Sequence, residues 1–251
     1  MGIERWRGRV ALVTGASSGI GRATALMLGR EGLRVVVTGR DRERLAAVAA
    51  AIEDEGGEVL AIPADLRDEA SITALFTELR TRWGGVDAIV NSAGVASFDS
   101  CMEGTTEAWR NMLEVNVLGL MICTREAVAD MRRREFAGQV IHLSSMSGHF
   151  VTKQVGVYAA TKFAVRALTM ALRQELSDSD SGIRISSISP GRVATEFLEN
   201  MADSPEEAQE MRAAYRALDP EDVATQVRWI LSQPPHVQIH DILLRSATQP
   251  I

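Results

Sequence analysis

Short runs of apolar and β-branched residues alternate with helix-like stretches along the whole chain, which is typical of an α/β fold. The strand-like runs lie at 9–14, 33–39, 58–63, 86–91, 138–145 and 183–190, with a weaker one at 237–243. Helical patterns occupy 20–31, 41–55, 68–82, 105–134, 156–178 and 220–232. Several begin near a capping residue, as at Asp41, Asp68 and Thr105. Continuous apolar strands separated by helices predict a doubly wound parallel sheet with helices on both faces.

No long linker, internal repeat or low-complexity tract interrupts this alternation, so we expect a single domain over 1–251. The most irregular stretch is 191–219, which holds Pro205 and many acidic residues. Long loops in compact domains tend to be functional, and we therefore expect this stretch to be a substrate lid. An ordinary solvated insertion is the alternative.

Composition and charge narrow the classes of function. The chain has 251 residues, of which 46% are hydrophobic, enough for a substantial core. Its formal net charge of −6 would repel a nucleic-acid backbone, so we expect no nucleic-acid partner. The apolar runs are shorter than the ~20 residues of a membrane span. With two cysteines and no signal-like start, the chain is expected to be cytoplasmic, and no metal site is predicted.

The first strand runs directly into TGASSGIG at 14–21, which spaces its glycines as Gly-x3-Gly-x-Gly before a helical pattern. Glycines let the backbone turn sharply and approach a pyrophosphate, whose charge the N-terminal end of a helix stabilises. This strand–turn–helix context is what a dinucleotide-binding turn requires, and it predicts a Rossmann-type fold, with a purely structural turn as the alternative. The residues of the turn expected to contact the cofactor are Gly15, Ser17, Ser18, Gly19, Ile20 and Gly21.

The end of the second strand bears on which nicotinamide cofactor binds. An NAD-binding fold normally has Asp or Glu there for the ribose hydroxyls, whereas this chain has Gly39 and Arg40. The planar guanidinium of Arg40 suits a 2′-phosphate, so NADP(H) is favoured over NAD(H); the alternative is that Asp41 binds the ribose. Asp65, followed by Leu66, ends the third strand and either hydrogen-bonds the adenine or caps the next helix.

Tyr158 and Lys162 stand four residues apart in YAATK on a predicted helix, so their side chains project from one face. A tyrosine that works as an acid or base near neutrality needs its pKa lowered from about 10 to about 7, worth about 4 kcal/mol. A neighbouring ammonium together with an oxidised nicotinamide ring could supply that stabilisation. This pair is therefore the candidate proton-transfer machinery.

Two further polar residues are candidates for the same site. Ser145, at the end of the fifth strand, could hold a substrate oxygen beside the phenol, while Ser144 and Ser147 are the alternatives that satisfy local backbone. Asn116 interrupts an otherwise apolar helix, where a buried amide needs partners. It either locks the helix backbone or holds a water that relays protons to Lys162, and the two roles are compatible.

Taken together, the chain resembles a short-chain dehydrogenase/reductase of the compact, single-domain kind. The resemblance rests on TGASSGIG (14–21), NSAG (91–94), NVLG (116–119), Ser145, YAATK (158–162) and SPGRVAT (189–195). It implies a tetrad in which Tyr158 is the general acid/base, Ser145 polarises the carbonyl, and Lys162 binds the nicotinamide ribose and lowers the phenol pKa, with Asn116 as the fourth member. It also implies that the cofactor cleft is lined by Asn91, Ala93, Gly94, Tyr158, Lys162, Pro190, Gly191, Val193 and Thr195.

Further segments are similar to an NADP-preferring branch of this family that acts on apolar alcohols and ketones, including steroids and farnesol-like isoprenoids. These segments are ERWR (4–7), CTREA (123–127), SMSGH (145–149), LRQEL (172–176) and the tail at 236–251. The resemblance implies an NADP(H)-dependent oxidoreductase for a small apolar alcohol or carbonyl substrate. The residues expected either to contact that substrate or to belong to the core are Phe150, Val151, Val155, Phe197, Leu198 and Met201.

The chain has two alternative functions and one expected assembly state. A 3-oxoacyl-thioester reductase is the alternative enzyme, which would need a basic patch such as Arg132–Arg134 for an acidic carrier. An NADP-sensing binding module without chemistry is the non-enzymatic alternative. Because the family packs the helices near 105–134 and 156–178 across twofold axes, the resemblance implies a homodimer or homotetramer.

Overall fold

A computed structural model of the chain describes residues 2–97, 100–153, 155–199 and 216–249. The strands are β1 (Val10–Thr14), β2 (Arg34–Thr38), β3 (Glu58–Ala61), β4 (Ala88–Asn91), β5 (Gln139–Leu143), β6 (Arg184–Pro190) and β7 (Asp241–Leu244). They form one parallel sheet in the order β3-β2-β1-β4-β5-β6-β7. The predicted doubly wound sheet is confirmed. Six strands end within two residues of the prediction, whereas β7 begins four residues later than expected.

The helices cover both faces of this sheet. They are α1 (Gly19–Arg30), α2 (Arg42–Asp54), α3 (Glu69–Trp83), α4 (Thr106–Leu113), α5 (Leu120–Arg133), α6 (Gly156–Asp178), α7 (Glu196–Glu199) and α8 (Pro220–Ser232). The predicted caps Asp41, Asp68 and Thr105 each accept a hydrogen bond from a first-turn backbone N–H, at 3.0, 2.9 and 3.2 Å. Each cap satisfies a donor that the helix itself leaves unpaired.

Alternate side chains of β1, an interior strand, pack on the two faces of the sheet. Ala11 and Val13 pack in the apolar layer that includes residues of α1 and α8, whereas Val10 and Leu12 pack in the layer that includes residues of α3 and α5. A strand buried on both faces has no polar side, and this explains its continuous apolar sequence. The two layers bury both faces of the sheet. Because its strands are parallel, their carboxyl ends meet at one edge.

The helix predicted over 105–134 is interrupted. Between α4 and α5 the residues Glu114–Gly119 form a π-helical segment. The segment brings Gly119 so close to the preceding loop that a Cβ there would lie 2.4 Å from the carbonyl oxygen of Leu66. A π turn holds one more residue than an α turn and often occurs at functional sites. The apolar period of the sequence does not distinguish the two. The predicted helical stretch is therefore confirmed over Thr106–Arg133, whereas its π-helical part was not predicted.

The predicted lid at 191–219 lies partly outside the described residues, since 200–215 are not among them. Its two described ends are joined beside the sheet. Val193 and Leu218 form a parallel bridge, and Ala194 donates its backbone N–H to the carbonyl of Leu218 at 2.8 Å. The two described ends of the stretch therefore lie side by side, next to the carboxyl end of β6.

Within the described ranges, no helix has the length and apolar character needed to cross a bilayer. The same ranges contain no group of three or more His, Cys, Asp or Glu side chains arranged to hold a metal ion.

Candidate active site

The carboxyl edge of the sheet opens into a cleft of about 690 Å³. Its lining includes all the predicted cofactor and catalytic residues except Asn91 and Asn116, which lie behind its wall. Residues more than 170 positions apart in the sequence thus meet around one space, as expected where ligands bind at the strand ends of an open parallel sheet.

The glycine turn is required by backbone contacts. Gly15 has φ +64°, and a Cβ on it would lie 2.7 Å from the Cα of Ala93. A Cβ on Gly21 would lie 2.2 Å from the carbonyl oxygen of Gly15. Helix α1 begins at Gly19, and its N-cap residue Ser18 makes no side-chain capping bond. The first N–H groups of α1 are therefore available to an anion, which also suits the positive end of the helix dipole.

The residues at the end of β2 include an arginine that lines the cleft and an aspartate that caps a helix. Arg40 is exposed and lines the cleft, next to Gly39. Asp41 lies outside the lining, and its carboxylate is committed to Arg44: it accepts the backbone N–H at 3.0 Å and lies 3.4 Å from Nε. The competing assignment, in which Asp41 binds the ribose, would require it to give up this cap.

Asp65 does not cap the following helix. Asp68 holds that position, accepting the N–H of Ala70 at 2.9 Å. The Asp65 carboxylate instead pairs with the guanidinium of Arg67 at 2.5 Å, and this hydrogen bond holds the pKa of Asp65 below its usual range. Asp65 still lines the cleft together with Leu66, so only the capping alternative is wrong.

Ser145, Tyr158 and Lys162 meet at the centre of the cleft. Residue Tyr158 is 8% exposed, and the Ser145 hydroxyl, which accepts the backbone N–H of Ser147 at 3.1 Å, acts to lower the pKa of the phenol. Lys162 is buried beneath them; its Nζ donates to the carbonyl of Leu143 at 2.9 Å and lies 5.7 Å from the centre of the phenol ring. The alternative, Ser144, is buried and donates to the carbonyl of Lys162 at 3.3 Å, a structural role.

Burial shifts the pKa values of Tyr158 and Lys162. It raises the pKa of Tyr158 to about 12, against an opposing effect of the Ser145 hydrogen bond, and it lowers the pKa of Lys162 to about 8. The chain's own groups therefore hold the phenol protonated at neutral pH. In the protein alone, desolvation of the phenolate outweighs the effect of the Ser145 hydroxyl. The lowering of the phenol pKa by Lys162 together with an oxidised nicotinamide stays a prediction.

Asn116 joins three elements behind the cleft. Its Oδ1 accepts the N–H of Val95 and its Nδ2 donates to the carbonyl of Val95, both at 2.8 Å. Nδ2 also donates to Thr161 Oγ1 on α6 at 3.1 Å. A Cβ on Gly94 would lie 3.5 Å from Asn116 Oδ1 and 3.7 Å from Lys162 Nζ, so Gly94 stands between them. The amide thus ties the loop backbone at Val95 to α6 rather than locking its own helix backbone, and the water relay stays a prediction.

A buried polar chain, which the sequence analysis did not identify, supports Asn91 from below. Its Nδ2 donates to Thr124 Oγ1 at 3.0 Å, Thr124 Oγ1 lies 3.0 Å from His142 Nε2, and His142 Nδ1 lies 2.8 Å from Thr169 Oγ1. His142 is fully buried, and burial lowers its pKa to about 3, so the ring is neutral. The signal in the sequence was a histidine inside the otherwise apolar strand QVIHL.

The end of the cleft next to Tyr158 is largely apolar. Phe197 lies with its ring centre 5.8 Å from that of Tyr158, and Phe150 and Val155 also line the cleft. Val151 is outside the lining and 61% exposed, which does not fit a substrate contact. Leu198 and Met201 lie outside the described side chains. The lining residues at this end that the sequence analysis missed are Val95, Met146, Thr152 and Lys153.

Comparisons with known proteins agree with this architecture. The family model described as short chain dehydrogenase matches residues 9–206. Dehydrogenase/reductase SDR family member 11 of Gallus gallus is 44% identical over 98% of this chain and 99% of its own length. Farnesol dehydrogenase of Aedes aegypti is 37% identical over 97% of this chain and 98% of its own length.

Solved structures also resemble the chain over nearly its whole length. The closed form of a serine dehydrogenase complexed with NADP+ superimposes with a TM-score of 0.89 and 31% identity, covering 96% of each chain. An alcohol dehydrogenase from the archaeon Thermococcus sibiricus, complexed with 5-hydroxy-NADP, gives a TM-score of 0.85 and 29% identity, covering 97% of this chain and 98% of that one.

Proposed function

This chain belongs to the short-chain dehydrogenase family, and we propose that it transfers a hydride between NADP(H) and an apolar alcohol or carbonyl substrate, with Tyr158 as the general acid/base. The observation that carries the proposal is the meeting of Ser145, Tyr158 and Lys162 in the same cleft as the glycine turn. The seven strands draw on residues from 10 to 244, which supports one catalytic domain. We also propose 191–219 as its lid, because Val193 and Thr195, at the start of this stretch, line the cleft.

The residues present fit a nicotinamide dinucleotide. Backbone crowding at Gly15 and Gly21 leaves no room for side chains in the turn, and Oδ1 of Asn91, buried at the end of β4, has no partner among the described atoms. When bound, the reduced cofactor supplies the hydride. The turn would hold the pyrophosphate, and Gly94, with Asn91 behind it, would border the nicotinamide end.

In the reducing direction the chain's own groups act on the carbonyl oxygen. Tyr158 Oη donates its proton to that oxygen while the Ser145 hydroxyl offers a second hydrogen bond to the developing negative charge. The buried Lys162 ammonium then stabilises the phenolate that remains. In the oxidising direction the phenolate must form first, and its formation needs positive charge beyond what Lys162 supplies, such as that of an oxidised nicotinamide.

We also propose a preference for NADP(H) over NAD(H). It is supported by the exposed Arg40 on the lining and by the commitment of Asp41 to its helix cap. Two of the similar structures are complexes with NADP+ or a modified NADP.

The alternative enzyme, a 3-oxoacyl-thioester reductase, would need a free basic patch, and the candidate patch at 132–134 is largely engaged in the described part of the chain. Arg133 pairs with Asp130 at 3.0 Å and Arg134 with Asp87 at 2.8 Å, so two of the three arginines are engaged. An apolar substrate end and a 37% identical farnesol dehydrogenase favour the apolar class. The non-enzymatic sensing module would have no use for an intact Ser–Tyr–Lys group.

A homodimer or homotetramer is proposed on the helices that the family uses for assembly. Leu113 and Leu118 lie on or next to α4 and are 51% and 54% exposed, and Phe163 and Met170 on α6 are 40% and 54% exposed. Apolar side chains on neighbouring helices are typical of a covered interface. We further propose that the enzyme works in the cytoplasm.

The proposed reaction is tested by following NADPH consumption with a panel of compounds: apolar ketones, a farnesal-type aldehyde, a steroid ketone and an acetoacetyl thioester. Fast turnover of an apolar carbonyl supports the proposal. Preference for the thioester would replace it with the alternative enzyme. Tight NADPH binding without turnover of any compound would favour the sensing module.

A further inference from the structure

We propose that the substrate carries a carboxylate at the end remote from its reacting carbon, and that Lys153 binds this group. The inference rests on the proposed function, because it names the chemical class of substrate for the same cleft. It follows from where charge lies along the cleft wall.

The cleft is positively charged in an acidic protein. Its described lining holds four cations, Arg40, Lys153, Lys162 and Arg192, and one carboxylate, that of Asp65. The chain as a whole has a formal net charge of −6. A cleft of one sign in a protein of the opposite sign concentrates field lines and attracts anions.

Three of the four cations already have an interaction or a proposed role in cofactor binding. Arg40 lies at the adenosine end, where the proposed 2′-phosphate binds. Lys162 is buried and bonded to the carbonyl of Leu143. Arg192 already interacts elsewhere in the chain. Lys153 is therefore the lining cation that remains available to a substrate, and within the described ranges no carboxylate pairs with it.

Lys153 stands at the substrate end of the cleft. The lining around it in the sequence, Phe150, Thr152 and Val155, leads directly to Tyr158. The single lining carboxylate, Asp65, is at the opposite end of the cofactor site and is neutralised by Arg67. The same stretch of wall therefore carries apolar side chains and the exposed ammonium of Lys153, and an apolar molecule with an anionic end matches both.

The residue type fits this role. Lysine carries its charge on a flexible apolar stem, which can lie along the apolar wall while the ammonium remains in solvent. Only two of the 27 basic residues in the chain are lysines, and both line this cleft. Because Lys153 is exposed, its contact with a carboxylate is partly screened, so we expect a preference of about fivefold rather than a large one.

The test compares oxo-carboxylates with their methyl esters, in a series with successively longer methylene chains between ketone and carboxylate. The ratio of kcat/KM for the acid to that for its ester is measured with NADPH at low and high salt. Four proteins are used: wild type, Lys153→Met, Lys153→Arg and, as a matched loss of one surface charge away from the cleft, Arg132→Met.

We expect wild type to prefer the acid by about fivefold at one chain length, with the preference falling as salt rises. Lys153→Met abolishes the preference, whereas Lys153→Arg and Arg132→Met retain it. An equal ratio in wild type and Lys153→Met, or no preference in wild type at any chain length, overturns the inference.

A separate readout keeps this inference apart from the proposed function. Binding of the corresponding hydroxy acids and hydroxy esters to NADP+-saturated protein is measured by calorimetry. If no compound turns over, the proposed function fails, yet tighter binding of the acid that is lost in Lys153→Met still supports the anion site. Equal binding of acid and ester by wild type refutes it whatever the turnover.

Discussion

Replacing Arg40 by Ala removes the one lining cation at the end of β2. A guanidinium paired with a phosphate makes charge-assisted hydrogen bonds, worth about 1.5–3 kcal/mol when well formed. Arg40 is exposed, so solvent screening brings the expected loss toward the lower end, about 1.5 kcal/mol or roughly tenfold in Kd. NADH has no 2′-phosphate, and its affinity should change by less than about twofold.

The assay is calorimetric or fluorescence titration of wild type, Arg40→Ala and Arg82→Ala with NADPH and with NADH. Arg82 is an exposed arginine on α3 outside the cleft lining, so its variant controls for the loss of one positive charge. Titration of Asp41→Ala tests the competing assignment. Equal weakening of both cofactors by Arg40→Ala, or selective loss of NADH affinity in Asp41→Ala, would refute the reasoning about the phosphate.

Three further outcomes are expected. Gly21→Ala places a Cβ 2.2 Å from a backbone oxygen, so it should weaken NADPH and NADH alike and cost about 1–3 kcal/mol in urea unfolding; unchanged affinities would exclude the close turn. Burial lowers the pKa of His142 from 6.5 to about 3, so between these pH values the unfolded state binds more protons than the folded state. The free energy of unfolding therefore falls as the pH drops below 6.5. In unfolding experiments with His142→Gln, this free energy should depend less steeply on pH in the acid range. Light scattering should give a multiple of 27.3 kDa and a smaller mass for Phe163→Glu, and a wild-type monomer would contradict the interface.

The fold could be predicted because its strands and most of its helices leave local signals. Strands buried on both faces read as continuous apolar runs, and helices show capping residues such as Asp41 and Asp68. The π-helical segment around Asn116 has no such signal, since its apolar spacing differs little from that of an α-helix. Strand β7 began later than predicted because its side chains are mostly half-buried, which weakens the apolar pattern.

The candidate site was predictable where chemistry depends on spacing within one element, as for Tyr158 and Lys162. What depends on tertiary contacts was not. Lys153 becomes notable only once the cleft wall is known. The pairing of Asp65 with Arg67, two residues away, is local, and it was missed because the position suits a helix cap equally well. The protonation of Tyr158 is set by burial, which no single motif records.

The central claim, that Tyr158 supplies the proton while the rest of the cleft binds the cofactor, is tested most directly with Tyr158→Phe. The exchange removes one oxygen and retains the ring that packs near Phe197. General acid catalysis contributes about 100- to 10,000-fold, so kcat with the best carbonyl substrate should fall by that amount while the Kd for NADPH stays within about twofold. Turnover at the wild-type rate would contradict the account, because another group would then supply the proton.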